Sequence, residues 1–401
     1  MADPYEPARR NRLIDIFRGL AFLFIFLAHT PGNDWKQFIP GAWGFSDATE
    51  VFVFVSGMAA GFAFVPAFGR AGFGIGTLRI ARRMWQVYLA HLMMFFAIAA
   101  LLTVADLTAG GTTHVDFLNL RPFFDDPQTN LVGLLSLTYV PNLFDILPMY
   151  VVILALVPPL VALARLHPTA ALGASACLYA VAAIGRVNLP AEPWSDRGWF
   201  FDPLCWQLLF TIGMALSAGW LPRPRLPRWL AWAALGFVLV SVPVANFDLR
   251  TGTPLLEDIY AALEPVDSKT FLGPLRILHF LALAIAVIGL AGPRLAATGN
   301  RVAVWLERIG QQSLIVFVSS TILAQVAGVL IFEIANTWAT TLVATVAGFV
   351  AIYAVARLAA RTKAALEQVT LARAAARGQL PAAAPAEVRP SRRRPAGGSS
   401  G

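Results

Sequence analysis

Residues 13–30 read "LIDIFRGLAFLFIFLAHT". The stretch has the length and apolar character of a helix that crosses the roughly 30 Å hydrocarbon core of a bilayer. Yet Asp15, Arg18 and His29 sit on it. Ionisable groups on a membrane span are expensive and point to function or to pairing. Working outward, the same apolar pattern recurs along the chain. Rough limits are 13–31, 47–66, 80–105, 144–165, 168–187, 200–220, 228–247, 275–292, 310–333 and 338–358. Hydrophobic residues make up 57% of the 401, charged residues only 13%. The mean hydropathy is +0.65. These values exclude an ordinary soluble domain and predict an all-α, polytopic membrane bundle of about ten helices.

No small-residue cleavage site follows the first run, so it reads as a retained span rather than a signal. Segment 130–142 is apolar but too short to cross and is flanked by proline, which suggests a re-entrant or interfacial piece. Cys177 and Cys205 lie in apolar runs and read as small core residues. The membrane domain is expected over 1–362. A disordered, basic cytoplasmic tail is expected over 363–401, and its closing "GGSSG" reads as an expression scar.

The net charge of +8 follows the membrane rather than a nucleic acid. With the N-terminus in the cytoplasm, Arg70, Arg79, Arg82, Arg83, Arg165, Arg223, Arg225, Arg228, Arg294, Arg301 and Arg308 all fall inside. Asp106, Asp116, Asp125, Asp126, Glu192, Asp196, Asp248, Glu257, Asp258, Glu264 and Asp267 fall outside. The positive-inside rule then gives both termini in the cytoplasm.

On the first span, Asp15 and His29 are about 21 Å apart at 1.5 Å per residue and cannot form a dyad. Asp15 and Arg18, one turn apart, form a structural pair, or Arg18 helps hold an anionic ligand. His29 is either a wetted rim residue or a general base, for which neutral imidazole is suited. Glu50 and Asp47, at the start of the second span, are the candidates to orient its ring; Asp47 also suits an N-cap. Ser56, Gly57 and Gly61 suit tight helix packing, or the passage of a slender ligand chain. Arg79, Arg82 and Arg83 either anchor topology or bind a nucleotide phosphate. The loops around Trp35, Trp43, Trp194, Trp199 and Trp206 mix tryptophan with aspartate, as an interfacial belt or a sugar platform would. No Gly-rich phosphate loop and no Cys/His metal cluster is present in the sequence, so no metal site is expected.

These residues carry a resemblance. The "D-x-x-R-G" of Asp15, Arg18 and Gly19, then His29, then "EVFVFVSG" at 50–57 resemble the membrane acyltransferase superfamily. Within it the chain is most similar to the OpgC proteins, which succinylate osmoregulated periplasmic glucans. "NLFDILPMYVV" at 142–152, "WQLLFTIG" at 206–213, "LGPLRILHFLALA" at 272–284 and "GQQSLIVF" at 310–317 support it, and the similarity covers about residues 11–320. It implies succinyl-CoA as a cytosolic co-substrate, with no permanent cofactor. It also implies glucan hydroxyls as acceptors and a bacterial inner-membrane location. The superfamily's essential histidine matches His29. Its arginine motif matches Arg79, Arg82 and Arg83, without the usual aromatic pair after it. Asp145, Asp202, Arg276 and His279 match polar positions of the OpgC pattern.

The expected sites are therefore His29 with Glu50 for catalysis. Asp15, Arg18, Ser56, Arg79, Arg82 and Arg83 are expected at the donor. Asp47, Asp145, Trp199, Asp202 and Arg276 are expected at the acceptor, Arg276 reading the succinyl carboxylate or snorkelling. Transfer of another acyl group, such as acetyl onto a surface polysaccharide, is the rival enzyme. A carrier for a glycan or small acid is the rival of another class. A carrier favours midplane charges and repeated, broken helices; this chain keeps its charges near the rims and shows no repeat.

Overall fold

A computed structural model describes residues 11–109, 114–222, 226–297 and 299–376. Among them there is no strand, only an isolated bridge between Pro190 and Gly198. Among the described residues, ten long helices organise the chain. They are α1 (Arg12–His29), α2 (Ala48–Ala63), α3 (Phe73–Ala109), α4 (Ile146–Leu166) and α5 (Pro168–Gly185). The rest are α6 (Pro203–Ala218), α7 (Arg228–Ala245), α8 (Pro274–Ala297), α9 (Ser313–Ile334) and α10 (Trp338–Ala376).

Eight of these are long and apolar enough to cross a membrane: α2 with its continuation to Ala71, α3, α4, α5, α7, α8, α9 and α10. α1 falls outside that set because it carries Arg12, Asp15 and Arg18, and α6 because it has only 16 residues. Large apolar side chains face outward on many helices. Met93, Val104 and Leu107 on α3, Trp232 and Val240 on α7, and Val343 and Val350 on α10 are all exposed. An outer surface so rich in exposed apolar groups suits lipid, not water.

α1 lies at the centre and packs on α2, α8 and α9. α2 makes its broadest contact with α6. Gly57 and Gly213 make this possible. A Cβ on Gly57 would strike the Phe210 carbonyl, and one on Gly213 would strike the Phe54 carbonyl. Gly61 faces Ser217 in the same seam. The small residues at 57 and 61 thus serve helix packing, and the route for a ligand chain imagined there is filled by α6.

Three details depart from the sequence reading. Arg301–Gly310 is an amphipathic helix, separated from α9 by Gln311 and Gln312. It packs against α1 at Gly19 and Gly310, each of which meets backbone of the other helix, and Arg12 pairs with Glu307 at 2.8 Å. Residues 363–376, expected to be irregular, are helical, in keeping with the high helix propensity of "AALEQVTLARAAA". Cys177 lies on the exposed face of α5, whereas Cys205 is buried as expected.

The chain divides into two units, Met1–Arg357 and Leu358–Gly401. The first holds the bundle. The second is described only as far as residue 376, and the basic end of the tail lies outside the described residues. Segment 130–142 overlaps the short helix Pro127–Ser136, capped by Asp126 and stopped at Leu137 in the left-handed region. Tyr139 beyond it is buried.

Candidate active site

α1 carries one candidate at each end. Asn11 caps it by accepting from the Leu13 N–H at 3.1 Å. Asp15 and Arg18 are buried together, with Nη1 to Oδ1 at 3.7 Å, and Arg18 also donates to the Val55 carbonyl at 3.4 Å. Along the axis Arg18 stands about 16 Å and Asp15 about 21 Å from His29. His29 closes the helix. Its backbone carbonyl accepts from Gln325 Nε2 at 3.0 Å, which ties it to α9. Its ring Nδ1 is buried with no hydrogen-bond partner among the described residues.

His29 lines a cavity of about 490 Å³ with Lys36, Asp47, Asp145, Lys269 and Gln325. Phe200 and Phe201 form part of its wall. Asp47 begins α2 and accepts from the Thr49 N–H at 2.7 Å. Glu50 reaches back to accept the Asp47 N–H at 2.7 Å, completing a capping box. The other Glu50 oxygen accepts from Arg276 Nε at 2.8 Å. Both carboxylate oxygens are thus engaged, and Glu50, expected beside the His29 ring, is instead a tie between α2 and α8. The sequence "DATE" spells this box, and the box together with Arg276 engages Glu50.

Arg276 also faces Asp47 at 3.7 Å and Asp267 at 3.6 Å. Held by three carboxylates, it does not line the cavity. Lys269 does. It pairs with Asp47 at 2.5 Å and lies 5.8 and 5.7 Å from the Phe200 and Phe201 ring centres. Burial pushes the Asp267 carboxyl up to about 6, against the opposing pull of Arg276 and Lys269.

The loop before α6 positions the two phenylalanines. Trp199 is buried and donates its Nε1–H to the Pro190 carbonyl at 2.8 Å. Its backbone N–H donates to Leu189 at 2.9 Å. Trp199 therefore anchors the loop and lies away from the cavity. Asp145 stands at the N-cap of α4, but its side chain makes no capping hydrogen bond there. It accepts the Phe200 N–H at 3.2 Å and lines the cavity. Asp202 is fully buried and caps α6 through the Leu204 N–H at 2.9 Å, also away from the cavity. His279 pairs with Ser46 at 2.7 Å.

A second cavity, about 290 Å³, lies at the other end of α1. Arg18, Ser56, Arg83, Tyr150 and Ser313 supply its polar lining. Of the three arginines at the start of α3, Arg83 reaches this cavity, while Arg79 and Arg82 are exposed and line neither. Phe52 and Phe317 line both cavities.

The family model described as OpgC protein matches residues 9–364. The chain belongs to the OpgC family. No curated protein and no solved structure matches it. Membership implies a membrane-embedded acyltransferase that acts on periplasmic glucans.

In this OpgC-family protein the residues singled out from sequence sort into three places. His29, Asp47 and Asp145 meet in one cavity, and Arg18, Ser56 and Arg83 in the other. Glu50, Trp199, Asp202 and Arg276 hold the walls around the first, and Asp15 backs Arg18. Sequence reasoning missed Lys36, Lys269 and Gln325. A signal was available for the lysines: the chain has three, and Lys36 and Lys269 both face the His29 cavity.

Proposed function

We propose that this protein moves a succinyl group from cytosolic succinyl-CoA to hydroxyls of a periplasmic glucan, across a bacterial inner membrane. In this reading α1 and α6 also cross, giving ten spans with both termini in the cytoplasm. Loop charge supports the orientation. The observation that carries the reading is the pair of cavities in series along α1, α2 and α9, one lined by arginines and the other by His29 and two lysines.

Arg83 and Arg18 grip the CoA phosphates at the cytoplasmic mouth, a task suited to guanidinium forks. The thioester extends toward His29. The glucan enters the His29 cavity from the periplasm. The unpartnered His29 nitrogen takes the proton as the hydroxyl oxygen attacks the thioester carbonyl carbon. A carbon–oxygen bond forms, the carbon–sulfur bond breaks, and the CoA sulfur leaves with the electron pair and is protonated. Lys36 and Lys269 meet the distal carboxylate of the succinyl group, which discriminates it from acetyl. Arg276 was the earlier candidate for that contact, but its three carboxylate partners leave it as scaffold. Asp47 holds Lys269 in place, and Asp145 offers a carboxylate to a sugar hydroxyl.

The test is to incubate membranes containing the protein with labelled succinyl-CoA and glucan and to weigh the glucan by mass spectrometry. The glucan is expected to gain succinyl esters. Label taken only from acetyl-CoA, or glucan that crosses vesicles with unchanged mass, would overturn the proposal in favour of an acetyltransferase or a carrier.

A further inference from the structure

The two cavities have one wall in common. Phe52 of α2 and Phe317 of α9 line both, and their rings stack with centres 5.8 Å apart and planes 23° from parallel. Phe22 of α1 backs the pair, 5.7 Å from Phe52 and 6.4 Å from Phe317, and is fully buried. The order of residues along each helix agrees. On α2, Asp47 and Thr49 face the His29 cavity, Phe52 faces both, and Ser56 and Ala59 face the Arg18 cavity. On α9, Gln325 faces the first, Phe317 both, and Ser313 the second.

We infer that Phe52 and Phe317 are the partition between two halves of a single passage, and that an acyl-bearing arm passes only when these rings turn aside. The inference rests on the reading above that donor and acceptor arrive from opposite cavities. Two aromatic faces with no polar atom between them form an apolar constriction, which excludes water and ions until something apolar displaces the rings. A slender thioester arm is such an object. Water is not. Closed rings therefore keep the activated ester from hydrolysis while the His29 cavity is empty, and keep the membrane sealed. Phe52 and Phe317 touch the arm in transit but take no part in the proton transfer, so they position rather than catalyse.

A cysteine reporter tests this without any acyl donor. The background carries Cys177→Ala and Cys205→Ala, and Ala59→Cys places one thiol in the Arg18 cavity. A small, membrane-impermeant thiol reagent is applied to sealed vesicles from the side on which the His29 cavity opens. With both rings present the thiol is expected to stay unlabelled. Phe317→Ala, and separately Phe52→Ala or the milder Phe317→Leu, is expected to raise the labelling rate at least about tenfold. Labelling from the opposite side, unchanged among variants, shows that each is folded. Reaction with both rings intact, or no gain in any ring variant that labels normally from the opposite side, would overturn the partition. Because no donor is used, loss of the succinyl reading would leave this result standing, and the reverse also holds.

Discussion

The cavity at Arg18 and the cavity at His29 are built by different means. The Arg18 cavity takes its polar groups from side chains inside helices: Arg18 on α1, Ser56 on α2, Arg83 on α3 and Ser313 on α9. The His29 cavity takes most of its groups from helix ends and connections: His29 ends α1, Asp47 caps α2, Asp145 precedes α4, Lys36 sits on the short 3-10 helix Asp34–Phe38 between α1 and α2, and Lys269 lies in the loop before α8. Helical positions are fixed by the bundle. Loop positions are fixed by explicit hydrogen bonds and ion pairs: Lys269 and Asp267 in a loop and Asp47 at a helix cap are tied, directly or through one another, to Glu50 of α2 and Arg276 of α8. In the proposed function, one end holds a charged donor and the other serves chemistry on a polar acceptor.

The strongest way to break this contrast is at His29. His29→Gln keeps a hydrogen-bonding side chain but cannot accept the proton, and transfer is expected to fall about 10²–10⁴-fold at unchanged membrane level. Near-normal transfer would move the base elsewhere, Asp145 being the next carboxylate in that cavity. Gly57→Ala sharpens the contrast differently, since α2 walls both cavities. Overpacking the α2–α6 seam is expected to cost about 1–3 kcal/mol, seen as a lower melting temperature in detergent with both substrates' binding impaired. A stable variant would mean that the seam can open.

At the donor end, Arg83→Ala is expected to raise the donor KM about tenfold with kcat kept, as loss of a charge-assisted contact would. Arg79→Ala and Arg82→Ala are expected to stay within about twofold. Equal effects from all three would dissolve the Arg18 cavity as the donor site. At the acceptor end, Lys36→Ala is expected to reduce the preference for succinyl-CoA over acetyl-CoA only a few-fold, because Lys36 is exposed. Competition between the two labelled donors measures it.

The smallest effect concerns Asp267. Its folded carboxyl sits near 6, above the ordinary 3.8, so the folded protein binds more protons between those values. Its contribution to stability is therefore present at low pH and is lost as pH rises through about 6. Asp267→Asn is expected to flatten that segment of a melting-temperature-against-pH curve, and an unchanged slope would assign it to another group.

The bundle was readable in the sequence because lipid demands long apolar helices, and hydropathy reports them directly. α4, α5 and α7 begin and end within about two residues of where hydropathy puts them. The amphipathic helix Arg301–Gly310 was not read, since it is short and polar on one face, and only its glycine contact with α1 reveals its role. Arg18, Arg83 and His29 were readable as ionisable groups on or beside apolar runs. Lys36 and Lys269 were not, because their approach to His29 depends on two loops far apart in sequence. Glu50 shows the limit most clearly. Its place at the start of α2 beside Asp47 was correct, but one residue type serves both an orienter and a capping box, and only the positions of Arg276 and the Asp47 N–H decide between them.

In the proposed function, donor and acceptor are engaged at opposite ends of α1. Sealed inside-out vesicles with glucan trapped within and labelled succinyl-CoA added outside test it most directly. Labelled glucan is expected inside the vesicles and is expected to be lost with His29→Gln. Labelling that occurs only when glucan and succinyl-CoA share the same side of the membrane would contradict it.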